Sequence, residues 1–220
     1  MSTSAINRQA SAGALTQAAA QTSPDYASSI RKRAFDVAAS VVGLTATAAV
    51  FPIVYLAVKA SSPGPVLYKQ ARVGKGGRVF NVVKFRTMRA DAEFDGMPRW
   101  ASQRDPRVTM VGRVLRRTHI DEFPQWWNIF AGDMSVVGPR PERPEFTASL
   151  SSEIPGFAER TRVKPGLTGL AQVKAGYARS ARDARTKLAY DRAYIQRCSL
   201  TSDVRIIAET VKSLVIPSKG

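Results

Sequence analysis

Asp121 and Glu122 are the residues whose type and setting most directly suggest chemistry. They stand between an arginine cluster (Arg113, Arg116, Arg117) and an apolar run from Phe123 to Phe130. Pro124 is tolerated in the first turn of a helix, so a helix is predicted to begin at Asp121 or Glu122. One reading of Asp121 is then a helix N-cap, a common post for Asp. The other uses the same geometry. A carboxylate at a helix N-terminus is favoured as the anion by the helix dipole and nearby guanidinium groups. An ionised Asp can attack phosphorus, or hold a divalent metal that bridges phosphates. Neighbouring helical positions point about 100° apart, so the two carboxylates should do different jobs.

A second centre follows in Gly132-Asp133-Met134-Ser135 and Val137-Gly138-Pro139-Arg140-Pro141. The two prolines restrict the backbone of Arg140. A guanidinium held in place in advance loses less entropy on clamping a phosphate. The plain alternative is a surface arginine in a proline turn. Lys84, Arg86, Arg162 and Lys164 are further anion-binding candidates. The glycine cluster Gly74-Lys75-Gly76-Gly77 lacks the spacing and terminal Lys-Ser/Thr of a phosphate loop, and it reads as a hairpin turn. His119, the only histidine, has no visible base or metal partner and is taken as structural. Trp126 and Trp127 are expected to pack inward or to sit at a lipid–water boundary.

The whole chain fits phosphate chemistry. Its 220 residues carry 33 Lys+Arg against 17 Asp+Glu, a net charge of +16. Such a surplus serves polyanions: nucleic acid, phosphates or an anionic membrane face. Cys198 is the only cysteine, which excludes an internal disulfide framework and points to a reducing compartment. One His and one Cys also argue against the common zinc sites.

The elements that must position these residues begin with residues 1–28, rich in Ala, Ser, Thr and Gln and read as a disordered tail. Arg31-Lys32-Arg33 comes next. Ala34 to Val58 then runs 25 residues with one charge, Asp36. As a helix it would reach ~37 Å, enough for a bilayer core of ~30 Å. A buried core helix and a secretory signal are the alternatives. Pro52 removes a helical hydrogen bond, and basic residues flank both ends, so both ends favour the cytoplasm. A re-entrant membrane helix over 29–60, broken at Phe51-Pro52, satisfies both facts. Ser40, Thr45 and Thr47 are candidates to satisfy the freed backbone groups.

Residues 61–217 form the expected cytoplasmic domain. Val66 to Tyr68 and Val79 to Phe85 are predicted to pair as a hairpin. Asp91 to Arg104 reads as irregular or lid-like. Short helices are expected over 108–117 and within 150–162, and Lys164 to Gly169 as a turn. Longer helices are predicted over 184–197 and 203–215. The last places Val204, Ile207, Val211, Leu214 and Val215 on one face, for packing in a core or lying on a bilayer. The fold class is α+β, helix-rich, with one re-entrant membrane helix, interfacial amphipathic helices and a small β-hairpin.

Five blocks in this order resemble the bacterial sugar transferase family of monotopic polyprenyl-phosphate phosphoglycosyl transferases. They are the basic-flanked apolar helix with its central proline, Lys84 to Met88, Asp121 to Gln125, Gly132 to Pro141, and Arg162 to Gly169. The resemblance covers about residues 29–217. It implies transfer of a hexose-1-phosphate from a UDP-sugar to undecaprenyl phosphate, using Mg2+, at the cytoplasmic face of the inner membrane. Such reactions start exopolysaccharide, O-antigen and glycoprotein glycans. By the same resemblance Asp121 is the nucleophile and sits near the metal, UMP leaves, and a phosphosugar-aspartyl intermediate forms. Glu122 assists metal binding or proton handling. Lys84, Arg116 and Arg140 match basic family positions and would neutralise phosphates. The segment Ala171-Gln172-Val173-Lys174-Ala175-Gly176 departs from many members, which have an aromatic before Gln and Asn-Gly-Arg after Val. The chain resembles the minimal catalytic unit with a short tail, and homo-oligomerisation is left open.

Two rivals explain less. A non-catalytic, basic membrane-binding scaffold accounts for the charge and the apolar helix, but not for an acidic pair set among arginines. Nucleic-acid binding accounts only for the charge, lacks a recognised reading module and is not expected.

Overall fold

The computed structural model describes residues 25–92, 105–175 and 181–215. The predicted lid-like stretch from Asp91 to Arg104 lies almost wholly outside these residues. Residues 1–24 of the tail expected over 1–28 lie outside the described residues, and the last four are helical. Asp25–Ser28 forms a helical turn, α1, and the Tyr26 hydroxyl donates to Asp203 at 3.0 Å.

The apolar segment is the helix α2, Ile30–Ser61, with Ser29 as N-cap accepting from the Lys32 amide. It is long and apolar enough to cross a membrane, and only 17% of its most apolar 18-residue window is buried. The break expected at Phe51-Pro52 is absent, since helix continues on both sides of Pro52. Packing holds it there. Phe51 lies against Phe85, ring centroids 5.7 Å apart, and Val54 and Val58 are buried with Leu115. The hydroxyls of Ser40, Thr45 and Thr47 do not serve the carbonyl that Pro52 leaves free. They donate to the carbonyls of Val37, Val41 and Gly43.

The predicted hairpin forms, with a first strand that runs on to Val73, well past the expected Val66 to Tyr68. β1 (Leu67–Val73) and β2 (Val79–Phe85) are antiparallel, with Tyr68 opposite Lys84, and a 3-10 turn over Lys75–Gly77 joins them. Helix α3 (Met110–Arg117) is capped by the Thr109 side chain and followed by a 3-10 turn, Ile120–Glu122. Only then does α4 (Gln125–Ala131) begin, after Pro124. Asp121 is therefore not the N-cap of the helix that follows it.

The segment expected to be a turn at 164–169 holds a strand instead. β4 (Gly166–Thr168) pairs in parallel with β3 (Ser135–Val137). Between them lie α5 (Pro144–Glu153) and the 3-10 turn Phe157–Arg162. Two glycines let these chains meet: a Cβ on Gly166 would sit 2.1 Å from the Gly138 nitrogen. Helices α6 (Leu170–Ala175), α7 (Ala181–Arg197) and α8 (Leu200–Val215) complete the described chain. α8 turns Asp203 and Ile206 inward, and Ile207 is partly buried against the core. Val204, Val211 and Leu214 of the predicted face are exposed, as is Leu200. The alternative that this face packs wholly in the core is thereby removed.

Candidate active site

Each carboxylate of the pair is held differently. The 3-10 turn that carries them starts from His119, whose backbone is left-handed at φ 56°. Ile120 and Phe123 flank the pair and pack against the second half of α2. Thr47 of α2 also donates to the Phe123 carbonyl at 3.2 Å. The apolar helix thus holds the site segment directly.

Glu122 accepts from Lys84 Nζ at 2.8 Å and pairs with both terminal nitrogens of Arg140. Despite its burial, these two cations hold its carboxyl well below the usual range. Asp121 is 8% exposed, and its side chain makes no hydrogen bond or ion pair with any described residue. Burial pushes its carboxyl up, and the charge of Glu122 adds to this. Lys84, Arg116 and Arg140 oppose the shift but do not overcome it. The anion-stabilising helix terminus expected from the sequence is not what sets this residue's charge. Burial also pushes the Lys84 ammonium down, with Arg140 adding to it and Glu122 opposing.

Arg140 lies just beyond β3, on a backbone pinned from four sides. The carbonyl of Pro139 accepts from Gly166 N at 2.9 Å and that of Arg140 from Arg160 Nη2 at 3.0 Å. The carbonyls of Pro141 and Glu142 accept from Arg72 Nη1 and Val73 N, each at 2.9 Å. Arg160 is itself fixed by buried Asp191, 2.8 Å away. The surface-turn reading of Arg140 therefore fails.

Arg116 Nε donates to Thr87 at 2.8 Å, and its charge reaches Asp121. Arg86 stands apart. Its guanidinium is buried and donates to the carbonyls of Ser62 and Pro63, each at 2.6 Å. It closes the connector after α2, with both terminal nitrogens committed to backbone carbonyls. Arg162 ends the 3-10 turn Phe157–Arg162 and is not among the ion-pair partners of Glu122. Trp126 packs its ring on Gly43 of α2, while Trp127 is 55% exposed.

Sequence reasoning missed three supports. Asn128 accepts from Val83 N at 3.0 Å and donates to the Asn81 carbonyl at 2.8 Å, tying α4 to β2. Asp36 accepts from the Ser135 hydroxyl at 2.9 Å and from Val136 N at 3.1 Å, tying α2 to β3. Lys32 reaches Asp36 at 3.2 Å and Asp203 at 2.7 Å, all three buried. A Lys–Asp pair at i,i+4 entering an apolar helix was the available signal.

A divalent cation fits this site in donor type. Asp121 offers a hard carboxylate oxygen with no competing partner, whereas Glu122 is committed to two cations. No cluster of three or more acidic, His or Cys residues occurs among the described residues. Mg2+ commonly takes one or two carboxylates and completes its shell with water and substrate phosphates.

The family profile for "bacterial sugar transferase" matches residues 27–217. The chain is 42% identical over 193 residues to a UDP-N-acetylgalactosamine-undecaprenyl-phosphate N-acetylgalactosaminephosphotransferase of Aeromonas hydrophila, covering 88% of this chain and 45% of that protein. It is 42% identical over 194 residues to a UDP-glucose:undecaprenyl-phosphate glucose-1-phosphate transferase of Caulobacter vibrioides, covering 87% and 72%. An exopolysaccharide production protein, PSS, of Rhizobium leguminosarum bv. phaseoli is 41% identical over 197 residues, covering 87% and 98%. Relatives thus differ in length, and this chain spans less than half of the first. With its profile matched across nearly all described residues, the chain belongs to the bacterial sugar transferase family.

Proposed function

We propose that the chain transfers a sugar-1-phosphate from a UDP-sugar to undecaprenyl phosphate through Asp121. The observation that carries this is an unpaired, buried carboxylate among three cations, beside a second carboxylate that two of them neutralise. A nucleophile must keep its lone pairs free, and Asp121 does. Glu122 holds Lys84 and Arg140 in place and stays ionised.

In the first half-reaction an Asp121 oxygen attacks the sugar-linked phosphorus. The bond from that phosphorus to the bridging oxygen breaks, and UMP leaves with the electron pair. In the second, an oxygen of undecaprenyl phosphate attacks the same phosphorus, the aspartyl–phosphorus bond breaks, and the free carboxylate returns. Lys84, Arg116 and Arg140 offset the charge that spreads over the phosphoryl oxygens. The pinned Arg140 backbone lowers the entropy lost in that contact. Mg2+, held by Asp121 and the diphosphate, would neutralise phosphate charge when bound.

The acceptor is a lipid, so the site must rest at headgroup level. The exposed apolar surface of α2 supports membrane association. We place the chain at the cytoplasmic face of the inner membrane. Trp127 and the exposed residues of α8 would then lie in the interface.

The half-reaction tests this reading. Purified protein with Mg2+ and a panel of UDP-sugars, without lipid acceptor, should release about one UMP per enzyme and gain a hexose-phosphate mass. Asp121→Asn should do neither. Turnover that needs the lipid acceptor from the start would sink the covalent route.

A further inference from the structure

The end of α2 that enters from residue 30 borders a cavity of about 410 Å3 unrelated to the Asp121 site. Its walls include Lys32, Arg33, Asp36, Lys75 and Lys164. Lys32 pairs there with both Asp36 and Asp203, one cation against two carboxylates. That leaves Arg33, Lys75 and Lys164, none of which forms an ion pair with a described residue. The three come from separate elements: α2, the hairpin turn, and the loop before β4. Arg33 donates to the carbonyls of Ile129 and Phe130 at 2.8 and 2.7 Å, which orients it but leaves its charge uncompensated.

The cations converge. Arg33 Nη2 and Lys164 Nζ both lie 3.6 Å from the point a Cβ on Gly132 would occupy. Burial pushes the Lys164 ammonium down and the charges of Arg33 and Lys75 push it further, while Asp36 and Asp133 oppose the shift without overcoming it. Three like charges gathered around a hollow cost free energy unless an anion joins them. The hollow is separate from the site already described. Arg33 grips the last turn of α4, whereas Asp121 precedes its first turn, and seven residues of helix span roughly 10 Å.

We infer that this cavity binds a phosphate group distinct from the one that reacts at Asp121. Two sources share that chemistry: the headgroup of an anionic phospholipid and a soluble phosphate. A phosphate here would bridge the start of α2, the hairpin and the loop before β4.

Acylation of lysines tests the site directly. The full chain in detergent is treated with a limiting amine-acylating reagent, and each lysine's modification is read by peptide mass spectrometry. One arm adds inorganic phosphate against KCl of equal ionic strength. A second compares nanodiscs of neutral phosphatidylcholine with nanodiscs containing phosphatidylglycerol. Slower acylation of Lys164 and Lys75, but not of Lys59 or Lys69, is expected in at least one arm. Protection by inorganic phosphate assigns a soluble source, and protection only by phosphatidylglycerol assigns a lipid headgroup. Lys75→Gln, an exposed change, should raise the phosphate or lipid content needed for half-protection of Lys164 by about threefold, as loss of one partly screened charge implies. Equal protection by KCl, protection confined to Lys84, or none at Lys164 in either arm would overturn the inference. The readout needs no turnover, so it stands or falls apart from the covalent route.

Discussion

Asp121 and Glu122 are neighbours in the chain but opposites in their surroundings. Glu122 is gripped by Lys84 and Arg140, while Asp121 accepts nothing from any described residue. The relation divides the work. One carboxylate organises the cations and the other stays available to react.

An available buried carboxylate is costly. The Asp121 carboxyl is raised above its unfolded value, so its contribution to stability falls as pH rises through that interval. Asp121→Asn should therefore stabilise the fold at neutral pH by about 0.5–2 kcal/mol, or a few degrees in Tm, while abolishing UMP release. Thermal unfolding beside the UMP assay checks this. A Tm lower than wild type would mean that the carboxylate is stabilised in a way the structure lacks.

The same shift sets a pH profile. The nucleophile must be ionised, so single-turnover UMP release should fall off on the acid side at a higher pH than an ordinary Asp would give. Rapid-quench rates across pH read this directly. A rate that stays flat down to the usual Asp range would place the titrating group elsewhere.

Glu122 behaves with the opposite sign. Its folded pKa lies below its unfolded value, so the stability it adds is present above about pH 4.5 and is lost as pH falls below that. Glu122→Gln leaves Lys84 and Arg140 without their anion and should cost about 1–3 kcal/mol at neutral pH. Urea unfolding at pH 7 and near pH 3 should show the deficit shrink with acid. A deficit equal at both would argue against the ion pairs.

Arg160 supports Arg140 from behind. Arg160→Met would strand Asp191, 2% exposed, and should cost about 3–5 kcal/mol. The double change with Asp191→Asn should recover part of that stability yet leave weakened donor binding, since the Arg140 carbonyl still lacks its donor. KM for the UDP-sugar in the folded double variant is the deciding measurement. An unchanged KM would reduce Arg160 to a structural role.

Among the described residues, Lys32 is the one cation that pairs with the two buried carboxylates Asp36 and Asp203. Lys32→Met should cost about 3–5 kcal/mol, visible in chemical unfolding. It should also loosen β3, because Asp36 bonds Ser135 and Val136. Faster hydrogen exchange at the Val136 amide would report that loosening.

Much of this protein was written locally. Alternation around a glycine turn determined the β1–β2 hairpin, because side chains in a strand alternate faces whatever lies across them. A long apolar run determined α2, and caps such as Thr109 determined where a short helix begins. The motif order around Asp121, Glu122 and Arg140 was enough to point to the chemistry. The tertiary structure decided what no local pattern carries. The parallel β3–β4 pairing joins segments about thirty residues apart and depends on two glycines touching. The continuity of α2 through Pro52 depends on Phe51, Val54 and Val58 finding partners across the fold. Arg86 and Arg140 look alike in sequence, yet one closes a connector and the other faces Glu122. Charge state followed the same rule: both carboxylates are buried, and the contacts with Lys84 and Arg140 that Glu122 makes and Asp121 lacks separate the two. Burial is a property of the packed molecule, because only long-range contacts remove water from a side chain.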